Sequence, residues 1–330
     1  MLNDKARWIL WTQWAGKEKK MGKKVFVDLS HPFFGDMPLW PYFEKPEIAP
    51  MHSMAKAGVI TQTIKCTMHT GTHADAPRHV MERMFDGRRA LYSHELPVDA
   101  YTGDAVCLDV RTPDWQLTTA EELDDALARA GMKPEELEGM VVCVRTGMHL
   151  KFDDSKDYYH YSVGNGVEAG NWFLKHRVKC VAMDQQALDH PLHTSMGNNG
   201  TRMMLEGYSG KNICEEFIEK FGEEAYAEFD KELYIKIHGQ AKYDEKFGAL
   251  EAIGCYGTWE PCHKILLGNY IVGVENLGGD LEKVVNKRFR FFAFPVRWHL
   301  GDGSMVRCTA EIDEDDLNDV PSRTYPYGAM

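Results

Sequence analysis

The run His69-Thr70-Gly71-Thr72-His73-Ala74-Asp75-Ala76-Pro77-Arg78-His79 constrains this chain more than any other feature. His69, His73, Asp75 and His79 all fall on odd positions, and in extended backbone alternate side chains share a face. A helix would also bring His69 and His73 together at i, i+4. Gly71 weakens that helix and Pro77 removes a donor near its end, so an extended or looped segment is expected. Val59 to Met68 alternates as a half-buried strand running into the motif.

Two imidazoles and a carboxylate are a standard ligand set for zinc, with manganese and iron as competitors. Three protein ligands leave a coordination position for water, and bound Zn²⁺ lowers the pKa of that water to roughly 7. The third imidazole, His79, is then free to move protons, because its unperturbed pKa lies near neutrality.

Elsewhere the chain reads as a mixture of strands and helices. Strands are expected at Lys24 to Leu29, Ala105 to Val110, Met140 to Arg145, Val178 to Met183, Tyr270 to Val274, Phe289 to Phe294 and Met305 to Ala310. Ser30 to Pro50 holds five prolines and reads as an extended loop. Thr118 and Glu121 form a capping box that opens a helix stopping near Gly131, and a second helix covers Val167 to His176. Between about 195 and 258 apolar residues recur at helical spacing, so this stretch reads as a helical insertion into one catalytic domain, 24–330. Residues 1–23 read as an N-terminal arm; Trp8-Ile9-Leu10-Trp11 is far too short to span a bilayer.

The net charge of -12 disfavours nucleic acid and anionic membrane as partners. No glycine-rich phosphate loop occurs. Eight scattered cysteines without a CxxC pair suit a reduced, cytoplasmic setting. His31 and His94 sit in loops, and the stretch Asp189-His190-Pro191-Leu192-His193 places two histidines either beside the site or in a solvated turn. His149, His160, His176, His238 and His299 read as surface residues.

The central run resembles the HxGTHxDxPxH signature of the cyclase-like metal-dependent hydrolases, a family that includes bacterial kynurenine formamidase, isatin hydrolase and trans-dienelactone hydrolase. The resemblance continues in Asp28-Leu29-Ser30 with Trp40-Pro41, in Val144-Arg145-Thr146-Gly147, in Val178 to Asp184, in His263-Lys264-Ile265-Leu266-Leu267 and in Ile271 to Leu277. It implies an α+β fold, a swivelling β/β/α domain, assembled as a homodimer or higher homo-oligomer. It also implies that His69, His73 and Asp75 hold one metal, that Asp75, His263 and Glu275 hold a second, that His79 is the acid/base and that Trp40 lines the substrate pocket. One or two Zn²⁺ ions are implied, with Mn²⁺ as the runner-up. The chain departs from the formamidases in its insertion and in Cys262, where they often carry a second histidine.

The function expected is hydrolysis of a small-molecule, non-peptide C–N bond, in an aryl formamide or cyclic amide, by metal-activated water with a histidine acid/base. A lactone hydrolase, or a cyclase or dehydratase without net hydrolysis, is the alternative. The insertion is expected to cover the pocket entrance.

Overall fold

A computed structural model describes residues 22–41, 43–198, 212–254 and 256–325. The expected N-terminal arm, apart from its last two residues, lies outside the described residues.

Eleven strands form among the described residues: β1 (Lys24–Asp28), β2 (Glu47–His52), β3 (Thr61–Lys65), β4 (His73–Asp75), β5 (Thr102–Asp109), β6 (Val141–Arg145), β7 (Cys180–Met183), β8 (Val272–Glu275), β9 (Arg288–Phe292), β10 (Gly303–Met305) and β11 (Thr309–Asp313). Nine of them make one curved mixed sheet, ordered β1-β11-β9-β5-β6-β7-β8-β4-β10. The central four, β5 to β8, are parallel, and the flanks are antiparallel. Parallel neighbours need crossovers, and helices supply them. These are α1 (Ala120–Arg129), α2 (Val167–Lys175) and, after the insertion, α6 (Pro261–Gly268).

Alternation along the strands separates two cores. Val106, Leu108, Val142, Val144, Val181 and Met183 face the three helices and meet Leu123, Leu127, Phe173 and Leu266. The opposite face carries Ala105, Cys107, Cys143, Cys180 and Ala182. Small side chains there leave room for the sheet to curl over Phe289, Phe291, Ala310 and Ile312 as a half-barrel. The cysteines are therefore packing residues, and the seven that are described are all free.

Several sequence expectations shift in the structure. The capping box is Thr119 with Glu122, one residue later than Thr118 with Glu121. The Thr119 hydroxyl accepts from the Glu122 N–H at 3.2 Å, and the Glu122 carboxylate accepts from the Thr119 N–H at 3.0 Å. Thr118 is unavailable as the cap because its own N–H is held by the Gly164 carbonyl at 2.8 Å. The strand expected at 59–68 is not half-buried. β3 pairs only with β2, and every residue of that ribbon is exposed. The stretch expected as loop up to Pro50 thus contains a strand, with a register shift where the proline cannot donate. The single strand expected at 305–310 is two, β10 and β11, which sit at or near opposite ends of the sheet order. The linking residues tie back on both sides: the Val306 N–H donates to the Thr72 carbonyl, and the Cys308 carbonyl accepts from Leu29.

The described part of the insertion is helical as expected: α3 (Ile213–Phe221), α4 (Lys231–His238) and α5 (Gln240–Ile253) lie between β7 and α6. Tyr234, Tyr243, Phe247 and Leu250 bury against Val167 of α2 and Ile265 of α6. No helix among the described residues is long and apolar enough to cross a membrane.

Candidate metal centre

Strand register assembles the site. β4 runs antiparallel to β8 with His73 opposite Glu275, and β10 closes the other side of β4 with Gly303 opposite Asp75. Only His73 and Asp75 enter the ligand cluster as alternate positions of a strand. His69 arrives from the preceding turn, where Gly71 takes φ +66°, and a Cβ there would meet Met37 Cε at 2.9 Å. Pro77 opens a single 3-10 turn, Pro77–His79, that swings His79 back over His69. Their rings stack with centroids 3.9 Å apart. The close approach of β10 also needs a glycine, because a Cβ on Gly303 would lie 2.7 Å from His69 Cε1.

The ligand atoms form two groups that share Asp75: His69, His73 and Asp75, and Asp75, His263 and Glu275. All five residues are buried. His73 donates through Nδ1 to the Gly71 carbonyl at 2.8 Å. That turns Nε2 and its lone pair toward Glu275 Oε2 at 3.2 Å and Asp75 Oδ1 at 3.5 Å. His263 is fixed the same way. Its Nδ1 donates to Asp189 Oδ2 at 2.7 Å, and its Nε2 faces Glu275 Oε1 at 3.0 Å and Asp75 Oδ2 at 3.5 Å. A second hydrogen bond that sets the tautomer and aim of an imidazole is the usual support for a metal ligand. The Asp189 carboxylate also accepts the Cys262 and His263 N–H groups, so it caps α6 while orienting its ligand.

A divalent cation fits this donor set. Asp75 Oδ2 is buried without a hydrogen-bond partner. Burial pushes the Asp75 carboxyl up, but His73, His263 and His69 outweigh it and hold the group ionised. Burial and Asp75 push Glu275 up, and His263 and His73 bring it below the usual carboxylate range. Two ionised carboxylates side by side with imidazole lone pairs aimed between them make a pocket for positive charge.

A third grouping was not foreseen in the sequence. Asp302 Oδ2 sits 3.1 Å from His69 Nε2 and 3.7 Å from His79 Nδ1. Hydrogen bonding to His69 and then His79 drives the Asp302 carboxyl far down. Burial opposes charge on His69, yet Asp302 and Asp75 together raise it to about 10. In the sequence, Gly301-Asp302-Gly303 carries the signature of a turn, and nothing there marks the carboxylate as a neighbour of the motif.

The site opens into a cavity of about 180 Å³. Leu39, Trp40 and Phe43 form an apolar wall, and Gln186, Thr194, Ser195, Glu260 and Asn276 line it with His69, His73, His79, His263 and Glu275. Trp40, expected here, donates its indole N–H to Ser195 Oγ at 2.9 Å. Among the described residues of the insertion, Ser195 at its entry reaches the cavity, while α3, α4 and α5 do not line it; residues 199–211, on which the expected cover of the entrance also falls, lie outside the described residues. Cys262 is buried and belongs to neither metal-ligand group.

Other histidines depart from expectation. His149 is fully buried, not on the surface, with Nδ1 donating to Asp184 Oδ2 at 2.8 Å. His190 and His193 are buried and not solvated: His190 stacks on Phe229, and His193 Nδ1 bonds the Thr258 carbonyl.

Residues 27–190 match the family model described as "Putative cyclase". No curated protein matches the chain. Among solved structures the chain is similar to isatin hydrolase A from Labrenzia aggregata bound to benzyl benzoate, at 18% identity, covering 94% of this chain and 100% of that one, with a TM-score of 0.59. It is similar to isatin hydrolase A from Ralstonia solanacearum at 16% identity, covering 94% and 98%, with a TM-score of 0.60. An isatin hydrolase bound to the product analogue thioisatinate matches at 17% identity, over 95% and 100%, with a TM-score of 0.61. At these identities the likeness is one of fold, and it confirms the expected α+β architecture.

Proposed function

The chain belongs to the cyclase family through residues 27–190, and from that premise we propose that it hydrolyses a small-molecule C–N bond in an aryl formamide or a cyclic amide. The observation that carries this reading is the pair of buried ligand groups sharing Asp75, opening beside His79 into an aromatic-walled cavity.

His69, His73 and Asp75 would hold one ion, and Asp75, His263 and Glu275 a second; Zn²⁺ suits these donors first and Mn²⁺ next. When bound, such an ion supplies Lewis acidity, lowering the pKa of water and polarising a carbonyl oxygen. The protein's own residues do the rest. Trp40 and Phe43 exclude water from one side of the cavity and present flat apolar surface to an aromatic ring. His79 keeps Nδ1 toward Asp302, which leaves Nε2 to deliver a proton to the departing nitrogen. Asp302 contacts both His69 and His79 and positions their rings.

Metal analysis of the purified protein, paired with assays on an aryl formamide, a cyclic amide and a lactone, tests the reading. Substoichiometric metal, or full metal content with no amide turned over to a product one water heavier, would overturn it. Lactone turnover without amide turnover would move the assignment to C–O bonds.

A further inference from the structure

Glu260 stands out in the cavity wall. It is the residue before α6, and its backbone adopts φ 46°, ψ 51°, the left-handed region that a glutamate rarely occupies. Pro261 follows and disfavours helical backbone at this position. The conformation is pinned: the Glu260 N–H donates to the His193 carbonyl at 2.8 Å, and its own carbonyl accepts from the Lys264 N–H at 3.0 Å. Strained backbone of this kind persists where the surroundings over-determine it, often at sites of function.

The pinned conformation aims a carboxyl at the cavity. Glu260 lines it together with His79, His263 and Glu275. It belongs to none of the metal-ligand groups. The other cavity carboxylate, Glu275, accepts from the Leu188 N–H at 2.6 Å and faces His73 and His263. The Glu260 carboxyl has no hydrogen bond or ion pair with any described residue. The residue is half-buried and its carboxyl faces the cavity, so a bound ligand can supply the donor that the protein does not.

We propose that Glu260 is the specificity-determining residue of the site: its carboxyl oxygen accepts a hydrogen bond from the N–H of the scissile amide and so selects amide over lactone. An ionised carboxylate only accepts hydrogen bonds, so the partner it seeks is a donor. A lactone of the same shape places a lone-pair oxygen where the amide has its N–H, and the carboxylate then stays unpaired. The inference rests on the hydrolase reading above.

The test compares kcat/KM for an aryl-fused cyclic amide and the lactone of the same ring, on wild type, Glu260→Gly and Glu260→Gln, all at equal metal content. Glycine removes the carboxyl and relieves the left-handed strain, so its melting temperature is not expected to fall. The amide-to-lactone ratio should drop by about 10–100-fold in Glu260→Gly, the worth of one hydrogen bond to a charged group. Glutamine keeps an accepting oxygen and should retain most of the ratio. Should Glu260→Gly not fold, Glu260→Asn, which tolerates the same backbone but is one methylene shorter, takes its place. If wild type cleaves neither compound, the hydrolase reading falls and takes this inference with it. If wild type is active and Glu260→Gly leaves the ratio unchanged, or glutamine loses it as fully as glycine, the hydrolase reading stands and the role of Glu260 is refuted.

Discussion

At the scale of single residues, the ligand group and the proton carrier predict different losses. His73→Ala or Asp75→Asn removes a donor whose neighbours are already aimed at a shared point. Each is expected to lower bound metal and turnover together, read by metal content and kcat on one preparation. His79 lies outside both Asp75-centred groups and stacks on His69 from the cavity side. His79→Ala should keep its metal while kcat falls by about 10²–10⁴-fold, the usual worth of a general acid or base. An empty site in His79→Ala would make His79 a ligand. His69, His73, Asp75 and His79 were legible because they crowd into one run with a glycine and a proline between them. Asp302 and Glu260 were not. They lie far along the chain from Asp75 in Gly-Asp-Gly and Glu-Pro contexts, and a turn or a helix start explains those contexts without any chemistry.

Secondary-structure elements were legible where burial fixes a period. The parallel strands β5 to β8 and the amphipathic α1 and α2 stand close to where the sequence places them. The β2–β3 ribbon was misread because alternation in Val59 to Met68 suggests one buried face, whereas no layer covers either side. The shifted capping box shows that two threonines in succession leave the choice of cap to a neighbouring segment, here the carbonyl of Gly164. That choice gives a prediction. Thr119→Ala deletes the acceptor for the Glu122 N–H and should cost about 1 kcal/mol in urea unfolding. Thr118→Ala should cost less, since it loses only the hydroxyl contact with Thr112. Equal losses in the two variants would return the helix start to the residue read from the sequence.

At the scale of the whole molecule, the parallel core carries a buried ion pair beyond the candidate centre. Asp184 follows β7 and accepts from the Thr146 and Gly147 N–H groups after β6, from the Thr146 hydroxyl and from His149 Nδ1. Burial pushes the Asp184 carboxyl up from 3.8, but His149 and Thr146 bring it below that value. Burial pushes His149 down, and Asp184 and Glu282 carry it above 6.5. The two shifts give opposite dependences on pH. The Asp184 contribution is complete above its unfolded pKa and is lost as pH falls through the lowered folded value. The His149 contribution is complete below its unfolded pKa and is lost as pH rises through the raised folded value. The pair therefore stabilises most between about pH 4 and pH 6.5, the two unfolded values. Asp184→Asn leaves His149 buried opposite an amide and should cost about 3–5 kcal/mol inside that window. The difference between wild type and variant, measured by urea unfolding across pH, should shrink on both sides. On the acid side it shrinks as Asp184 gains its proton, and on the alkaline side as His149 loses its own. A difference that stays flat from pH 3 to pH 9 would mean that the pair is held as neutral hydrogen bonds and that its charges do not stabilise the core.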